Sequence, residues 1–484
     1  MKLENRKWTE DEFFAMRKEV LAQWPTGKEV EDINEGIEYC KKLPPTKNAY
    51  LRQKLSKKLG VKQIMTALGH GTLELNLEHI NYVVSAKPDN WLLFTDTYTR
   101  NNRYEQAKSG LERSYKEGFS VLNGYPLVNY GLKPTRKLTE SVDGAFFSNN
   151  SDADARLELE LMFASGTTGY VENPIAEVFQ HGRDFPLEKR MQYSQYTSRL
   201  AAYYEEHGVP IEVDPYANLS GWDHPGFKVT IVTLGALVSI TQGCKHLCLI
   251  LGSSMNLIQD AAARHVALKL IKEYAAKFGH PDIDLYSKGN PWMGAWPLDK
   301  GQAAAVLAWP IIIASLAGYD KVLLKAVDEA HAVPTKEGHL ESMKICRQLL
   351  NIMGSQRLTE SEELALEREM IEKEAKATID KVIEMGDGDP LVGAAKATDA
   401  GVLDTIYSSY RRVKKDVLVV RDIHGAIRYL KYGNLPLPKE VIEYNQAKIA
   451  EREKVEGRKA DINMVINDTL FPSRHFTDLA PIYE

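Results

Sequence analysis

The chain has 484 residues, with 61 Lys plus Arg against 66 Asp plus Glu, a formal net charge of −5 and a hydrophobic fraction of 44%. That mild acidity leaves no electrostatic footprint for nucleic acid, and the length suits a large core with more than one structural unit. Four cysteines (Cys40, Cys244, Cys248 and Cys346) make no disulfide framework, and Cys244 and Cys248 have the wrong spacing for a zinc knuckle, so buried thiols and no metal site are expected.

In chain order, residues 1–55 read as a helical arm. Phe13, Met16, Val20, Leu21 and Trp24 follow helical spacing and Pro25 ends the run. The arm is expected to pack on the main domain rather than to act as a docking element. Its charged start lacks the apolar stretch of a signal peptide. The longest apolar run, Ala303–Leu316, is broken by Pro310 and too short to span a bilayer. A cytoplasmic chain without membrane association is the expectation.

Residues 56–350 alternate. Strand-like runs fall at Val61–Ala67, Trp91–Asp96, Phe119–Gly124, Gly144–Ser148, Val209–Asp214, His246–Gly252, Ile283–Ser287 and Lys321–Val327. Most are near-continuously apolar, as parallel strands covered on both faces are. Helical stretches lie between them, clearest at Arg156–Phe163, Leu187–His207, Asn256–Phe278 and Gly301–Ala317. This count over roughly 270 residues predicts a (β/α)8 TIM barrel of the α/β class. An open doubly wound sheet is the alternative, but LGHGTLE after the first strand holds no GxGxxG fingerprint. Residues 351–484 form a helical and mixed extension. Thr359–Glu362 has capping-box spacing and opens a charged run to Met385 that reads as an exposed helix closed by Gly386. Strand-like DVLVVRD (416–422) and AIRYLKYGN (426–434) follow.

A barrel carries its chemistry where the strands finish. Those ends offer His70, Arg100, Asn123, Asn149–Asn150, Asp214–Tyr216, Lys288–Met293, Lys325 and Glu329. The set is polar and aromatic; with no HExxH and no GxSxG, neither metal hydrolysis nor a serine elbow has support. Arg100 suits a carboxylate through its bidentate guanidinium, or is simply a surface arginine of the RNNRY loop. Lys325 suits a Schiff base, or an ion pair with Glu329 four residues on.

Several long segments resemble the large (epsilon) subunit of the glutamate mutase, or methylaspartate mutase, family. They are KWTEDEF, QWPTGKEV, TDTYTRNNRYE, VLNGYPLVNYG, NPWMGAWPLD, KVLLKAVDEA with PTKE, RDIHGAIRYLKYGN and GRKADINMVINDTLF, spread over nearly the whole chain. The resemblance implies a TIM barrel using adenosylcobalamin with a small cobalamin-binding subunit. That partner carries the DxHxxG motif, and two large subunits pair within a heterotetramer. It implies a radical isomerisation in which a 5′-deoxyadenosyl radical takes and returns a substrate hydrogen. DIHGAI (422–427) copies only the first half of the partner's motif, so His424 is not expected to bind cobalt. By similarity Asn123, Gln180, Trp296, Lys325, Glu329 and Val333 contact the cofactor, with Lys325 and Glu329 on the adenosyl ribose, which makes the Schiff base the weaker reading.

The substrate side departs from the family. Arg100 matches one arginine of the family's carboxylate claw, while His70 and Asn149, with Asn150 beside it, stand at the other positions. The amine-holding glutamate falls on Val171, next to Glu172, and two tyrosines fall on Glu177 and His181. Each lost hydrogen bond to a charged group is worth roughly 1.5–3 kcal/mol, so a dicarboxylate should bind far more weakly. Glu172, Glu177 and His181 become the candidate catalytic groups, facing a cationic or hydroxyl-bearing part of a changed substrate. The alternatives are a loop 166–182 that has shifted and leaves these residues solvated, a genuine glutamate mutase with compensating residues, and a non-catalytic cobalamin- or partner-binding scaffold.

Overall fold

The computed structural model describes residues 2–149, 153–217, 221–331 and 333–474. Its centre is a closed barrel of parallel strands: β1 (Gln63–Leu68), β2 (Asn90–Phe94), β3 (Ala145–Asn149), β4 (Gly169–Val171), β5 (Glu212–Asp214, resuming as Tyr216–Ala217), β6 (His246–Gly252), β7 (Asp284–Asn290) and β8 (Lys321–Leu323). Pro215 interrupts β5, but both pieces pair with β6, Glu212 opposite His246 and Tyr216 opposite Ile250. The β1–β8 pairing, Gln63 opposite Lys321, closes the ring. In β6, Leu247 to Gly252 are all buried, which is what helices on one face and a packed interior on the other require.

Two strand expectations change. Phe119–Gly124 is not a strand: Leu122 wedges against Gly110 of helix Tyr104–Glu117, where an added Cβ would stand 2.3 Å from Leu122 Cδ2, and Phe119 is exposed. The fourth stave is instead β4, three residues inside the segment read as a loop. Asp214 and Lys288 are not rim groups either. Both are wholly buried in the barrel interior, where they pair with each other below the strand ends.

Helix Glu10–Leu21 starts with Thr9 and Glu12 in a reciprocal capping box. It buries Phe13, Val20 and Arg17, whose guanidinium meets Glu160 at 3.0 Å. Helix Pro225–Gln242 is buried along its whole length, sandwiched between the barrel and helix Glu362–Met385. The latter is capped by Ser361, whose hydroxyl accepts from the Leu364 amide, rather than by a box at Thr359. Nor is it an exposed helix. Leu364, Ile371, Ile379 and Val382 pack inward, and two of its acids are buried with partners: Glu367 bonds Arg428, and Glu374 lies 2.7 Å from His224. The hairpin β9 (Val417–Arg421) and β10 (Ile427–Tyr432) covers this junction. Asp422 to Gly425 form its turn, and Asp422 Oδ1 accepts from the His424 and Ala426 amides, so the DIHG segment closes a hairpin. Among the described residues no helix is long and apolar enough to cross a membrane.

Candidate functional site

A cavity of 780 Å³ opens at the carboxyl ends of the strands. Every stave reaches it: Ala67 and Leu68 from β1, Leu92 and Phe94 from β2, Asn149 from β3, Val171 from β4, Tyr216 from β5, Ile250 from β6, Asn290 from β7 and Leu323 from β8. The loops beyond the strands add His70, Arg100, Asn123, Lys325, Glu329 and Val333, and helix Pro174–His181 adds Gln180 and His181.

One side is built after β8. Lys325 Nζ donates to Glu329 Oε1 at 2.6 Å, and both side chains keep some exposure to the cavity. Trp296 does not line the cavity. It stands behind the pair, its ring centre 5.9 Å from Lys325 Nζ and its indole N–H bonded to the Trp292 carbonyl. Exposed Val333 and Met293 supply apolar wall beside this polar pair. Lys325 is therefore held as an ion pair rather than as a solitary amine.

After β2, buried Asp96 caps the short helix Thr97–Arg100, accepting from the Tyr98 and Thr99 amides. Asn123 clasps the same turn: its Oδ1 accepts from the Thr97 amide at 3.0 Å and its Nδ2 donates to Thr97 Oγ1 at 2.8 Å. These bonds fix the backbone from which Arg100 reaches the cavity, where its guanidinium also touches Thr97 Oγ1 at 3.3 Å. His70 Nε2 is engaged by His79 Nδ1 at 2.8 Å, and His79 packs edge-on against His339, 4.9 Å between centroids. Burial pushes the His79 imidazole down to about 2 and His339 to about 4, with neighbouring histidines adding to the first, so this wall is uncharged near neutrality. Asn149 lines the cavity; Asn150 lies outside the described residues.

The three candidate catalytic groups separate. Successive residues of a strand face opposite ways. Val171 ends β4 facing inward, so Glu172 turns outward to Arg190 (2.9 Å) and Thr197 Oγ1 (2.8 Å) on helix Leu187–Glu206. Glu177 and His181 do share a helix face: Glu177 Oε1 meets His181 Nδ1 at 2.8 Å, and its other oxygen accepts from the Tyr216 hydroxyl. Burial would raise the Glu177 carboxyl, but His181 and Arg190 outweigh it and hold it below the usual range. Of the pair only His181 lines the cavity; Glu177 is buried behind it.

Three polar cavity residues stand outside these expectations, and Asn290, named from the sequence only as a strand-end residue, joins them. His79 and His339 come from helices Leu73–Val83 and Lys336–Met353, Asn290 closes β7, and Tyr407 reaches in from the C-terminal extension. Beside Tyr407, Ser408 and Ser409 donate to the Phe179 and Gln180 carbonyls, which pins the helix carrying His181. Strand-end position marks Asn290 in the sequence; no sequence signal marks the others. The one group of potential metal ligands among the described residues, Glu212, Asp214 and Cys248, is buried, and both carboxylates are paired with lysines.

The chain matches the family described as methylaspartate mutase E chain over residues 43–474. It is 36% identical over 470 residues to the glutamate mutase epsilon subunit of Desulfitobacterium hafniense, covering 97% of each chain. Against the corresponding subunits of Treponema denticola and Escherichia coli O157:H7 it is 35% identical, again over 97% of each. Among solved structures, a phospho-2-dehydro-3-deoxyheptonate aldolase from Thermotoga maritima is similar at 10% identity and a TM-score of 0.35, covering 61% of this chain and 72% of that one. A match across most of the chain, with relatives collinear along nearly their full lengths, makes this protein a member of the methylaspartate mutase E chain family.

Proposed function

We propose that this chain is the large subunit of an adenosylcobalamin-dependent carbon-skeleton mutase whose substrate is an amino or carboxylic acid other than standard glutamate. The observation that carries the reading is one cavity with two unlike halves: the Lys325–Glu329 pair beside apolar Val333 and Met293, and Arg100 facing an uncharged wall of His70, His79 and Asn149. The first half fits the cofactor's adenosyl group, because a cation and a carboxylate 2.6 Å apart offer both donor and acceptor to vicinal hydroxyls. When bound, the cofactor supplies a carbon radical that exchanges hydrogen with the substrate.

The chain's own residues bind, orient and enclose. Arg100 holds one carboxylate. His181, oriented by Glu177, presents its remaining ring nitrogen to the substrate. The barrel walls keep water from a reactive species. A small subunit bearing DxHxxG would hold the cobalt and cap the strand ends, and the large subunit would dimerise within a heterotetramer. The epsilon-subunit names of the relatives support a partner of this kind.

The test mixes the chain anaerobically with adenosylcobalamin and the small subunit and follows the cofactor's visible absorbance across a panel of acids. A response to an acid other than L-glutamate, lost in Lys325→Met and Glu329→Gln, is expected. Conversion of L-glutamate to 3-methylaspartate at an ordinary family rate would overturn the changed substrate. Silence across the panel, with both variants binding cofactor as the parent does, would favour the scaffold.

A further inference from the structure

Asn290 ends β7 with its side chain 3% exposed against the cavity, and neither its Oδ1 nor its Nδ2 has a hydrogen-bond partner among the described residues. Buried amides are nearly always satisfied, so one left open at a cavity wall points to a ligand. Depth says which ligand. Lys288, two residues earlier on the same inward face, pairs with Asp214 in the barrel core. Asn290 is the next inward layer, in register with Gly252 and two residues beyond the level of the paired Tyr216 and Ile250, and with them it lines the cavity floor. Lys325 and Glu329 follow the end of β8 and stand nearer the rim. The floor meets the smaller, deeper molecule, the substrate.

The charges around that floor are one-sided. Among the described residues lining the cavity, Glu329 is the only carboxylate, and Lys325 holds it. Glu172 faces outward and Glu177 is closed off by His181 and Tyr216. Among the described residues an ammonium entering this cavity finds no carboxylate outside an ion pair, which a desolvated cation needs. The open amide both donates and accepts. A second carboxylate would leave its Oδ1 unmatched and an ammonium would leave its Nδ2 unmatched, whereas a hydroxyl or a carboxamide satisfies both.

Resting on the reading of this cavity as a mutase substrate site, we propose that Asn290 is a specificity-determining residue. The substrate class is a monocarboxylic acid without a free amino group, whose second polar group, a hydroxyl or carboxamide, bonds the Asn290 amide.

The test is equilibrium binding by calorimetry to the full chain, with and without the small subunit, using 4-hydroxybutyrate, glutaramate, 4-aminobutyrate, glutarate and L-glutamate. The hydroxy acid or the amide should bind about tenfold or more tightly than the amine-bearing acids and glutarate. Asn290→Leu should erase that preference while butyrate binding persists. Asn290→Asp should shift preference toward 4-aminobutyrate, a reversal that a merely structural asparagine does not produce. Equal or tighter binding of an amine-bearing acid, no binding by any acid, or a preference unchanged in Asn290→Leu overturns the proposal. An amine-bearing acid that binds best and also changes the cofactor absorbance leaves the mutase reading standing while this proposal falls. A hydroxy acid that binds as expected without any cofactor response does the reverse.

Discussion

At the scale of single residues, the site depends on how each charge is held. Arg100 projects from a turn fixed by Asp96 and Asn123, so its fork is pre-aimed. Arg100→Lys keeps the charge but loses the planar pair of donors. With a hydrogen bond to a charged group worth roughly 1.5–3 kcal/mol, carboxylate affinity should fall about ten- to a hundredfold. Calorimetry with butyrate measures it, and affinity within threefold of the parent would remove Arg100 from the carboxylate site. The histidine wall makes a separate prediction. His79 and His339 titrate at about 2 and about 4 in the fold because burial disfavours the imidazolium. In the unfolded chain an imidazole titrates near about 6.5. The unfolded state therefore binds more protons as pH drops below that value. The stability that neutral burial confers is complete above about pH 6.5 and is lost as pH falls toward about 4 for His339 and about 2 for His79, by on the order of 2 kcal/mol for each ring at pH 5. Urea midpoints at pH 7 and pH 5 should show the loss, and His339→Asn should flatten it. An unchanged pH dependence in that variant would mean that His339 is not buried neutral.

Elements, not residues, decide what the sequence made legible. Long apolar strands such as β6 announce themselves, and strand ends led to Lys325, Glu329, Arg100 and Asn123, which do share one cavity. Phe119–Gly124 misled because a short apolar run looks the same in a strand and in a loop filling a groove at Gly110. β4 was hidden by having only three residues, one of them glycine, and with it went the alternation that turns Glu172 out of the site. Helix Glu362–Met385 looked exposed because Glu367 and Glu374 read as surface charge, yet Arg428, Tyr429 and His224 meet them inside. His79 and His339 depend on how two helices pack, which composition and spacing do not encode. The four-residue helix Thr97–Arg100 carries its own prediction. Too short to persist alone, it depends on its cap, and Asp96→Ala should cost about 0.5–2 kcal/mol of stability. The same change should weaken butyrate binding without touching Arg100. Loss of stability with affinity intact would show that Arg100 does not need the cap.

For the molecule as a whole, the site rests on a charged floor. Inside the barrel, Lys321 Nζ donates to Glu212 Oε2 at 2.7 Å and Lys288 pairs with Asp214, all four side chains fully buried, with the Phe147 ring 4.5 Å from Lys288 Nζ. These two pairs tie β5 to β7 and β8 across the interior, directly below Asn290 and Tyr216. Desolvating such ions costs about as much as their attraction returns, so the pairs fix an arrangement more than they add net stability. Burial raises the Asp214 carboxyl to about 7, and Lys288 is the charge that most limits the rise. Lys288→Met therefore strands an acid in the core and should destabilise the protein by roughly 3–5 kcal/mol. Lys288→Met with Asp214→Val removes both charges with little change in volume and should recover most of that loss, because no unpaired ion remains. Urea unfolding of the parent, the single and the double variant separates the contributions. If the pair fixes the floor, the double variant should regain stability and still lose the discrimination made at Asn290, since the layer under that residue is no longer locked. A double variant as unstable as the single one would mean that the lysine stem, not its charge, fills the barrel.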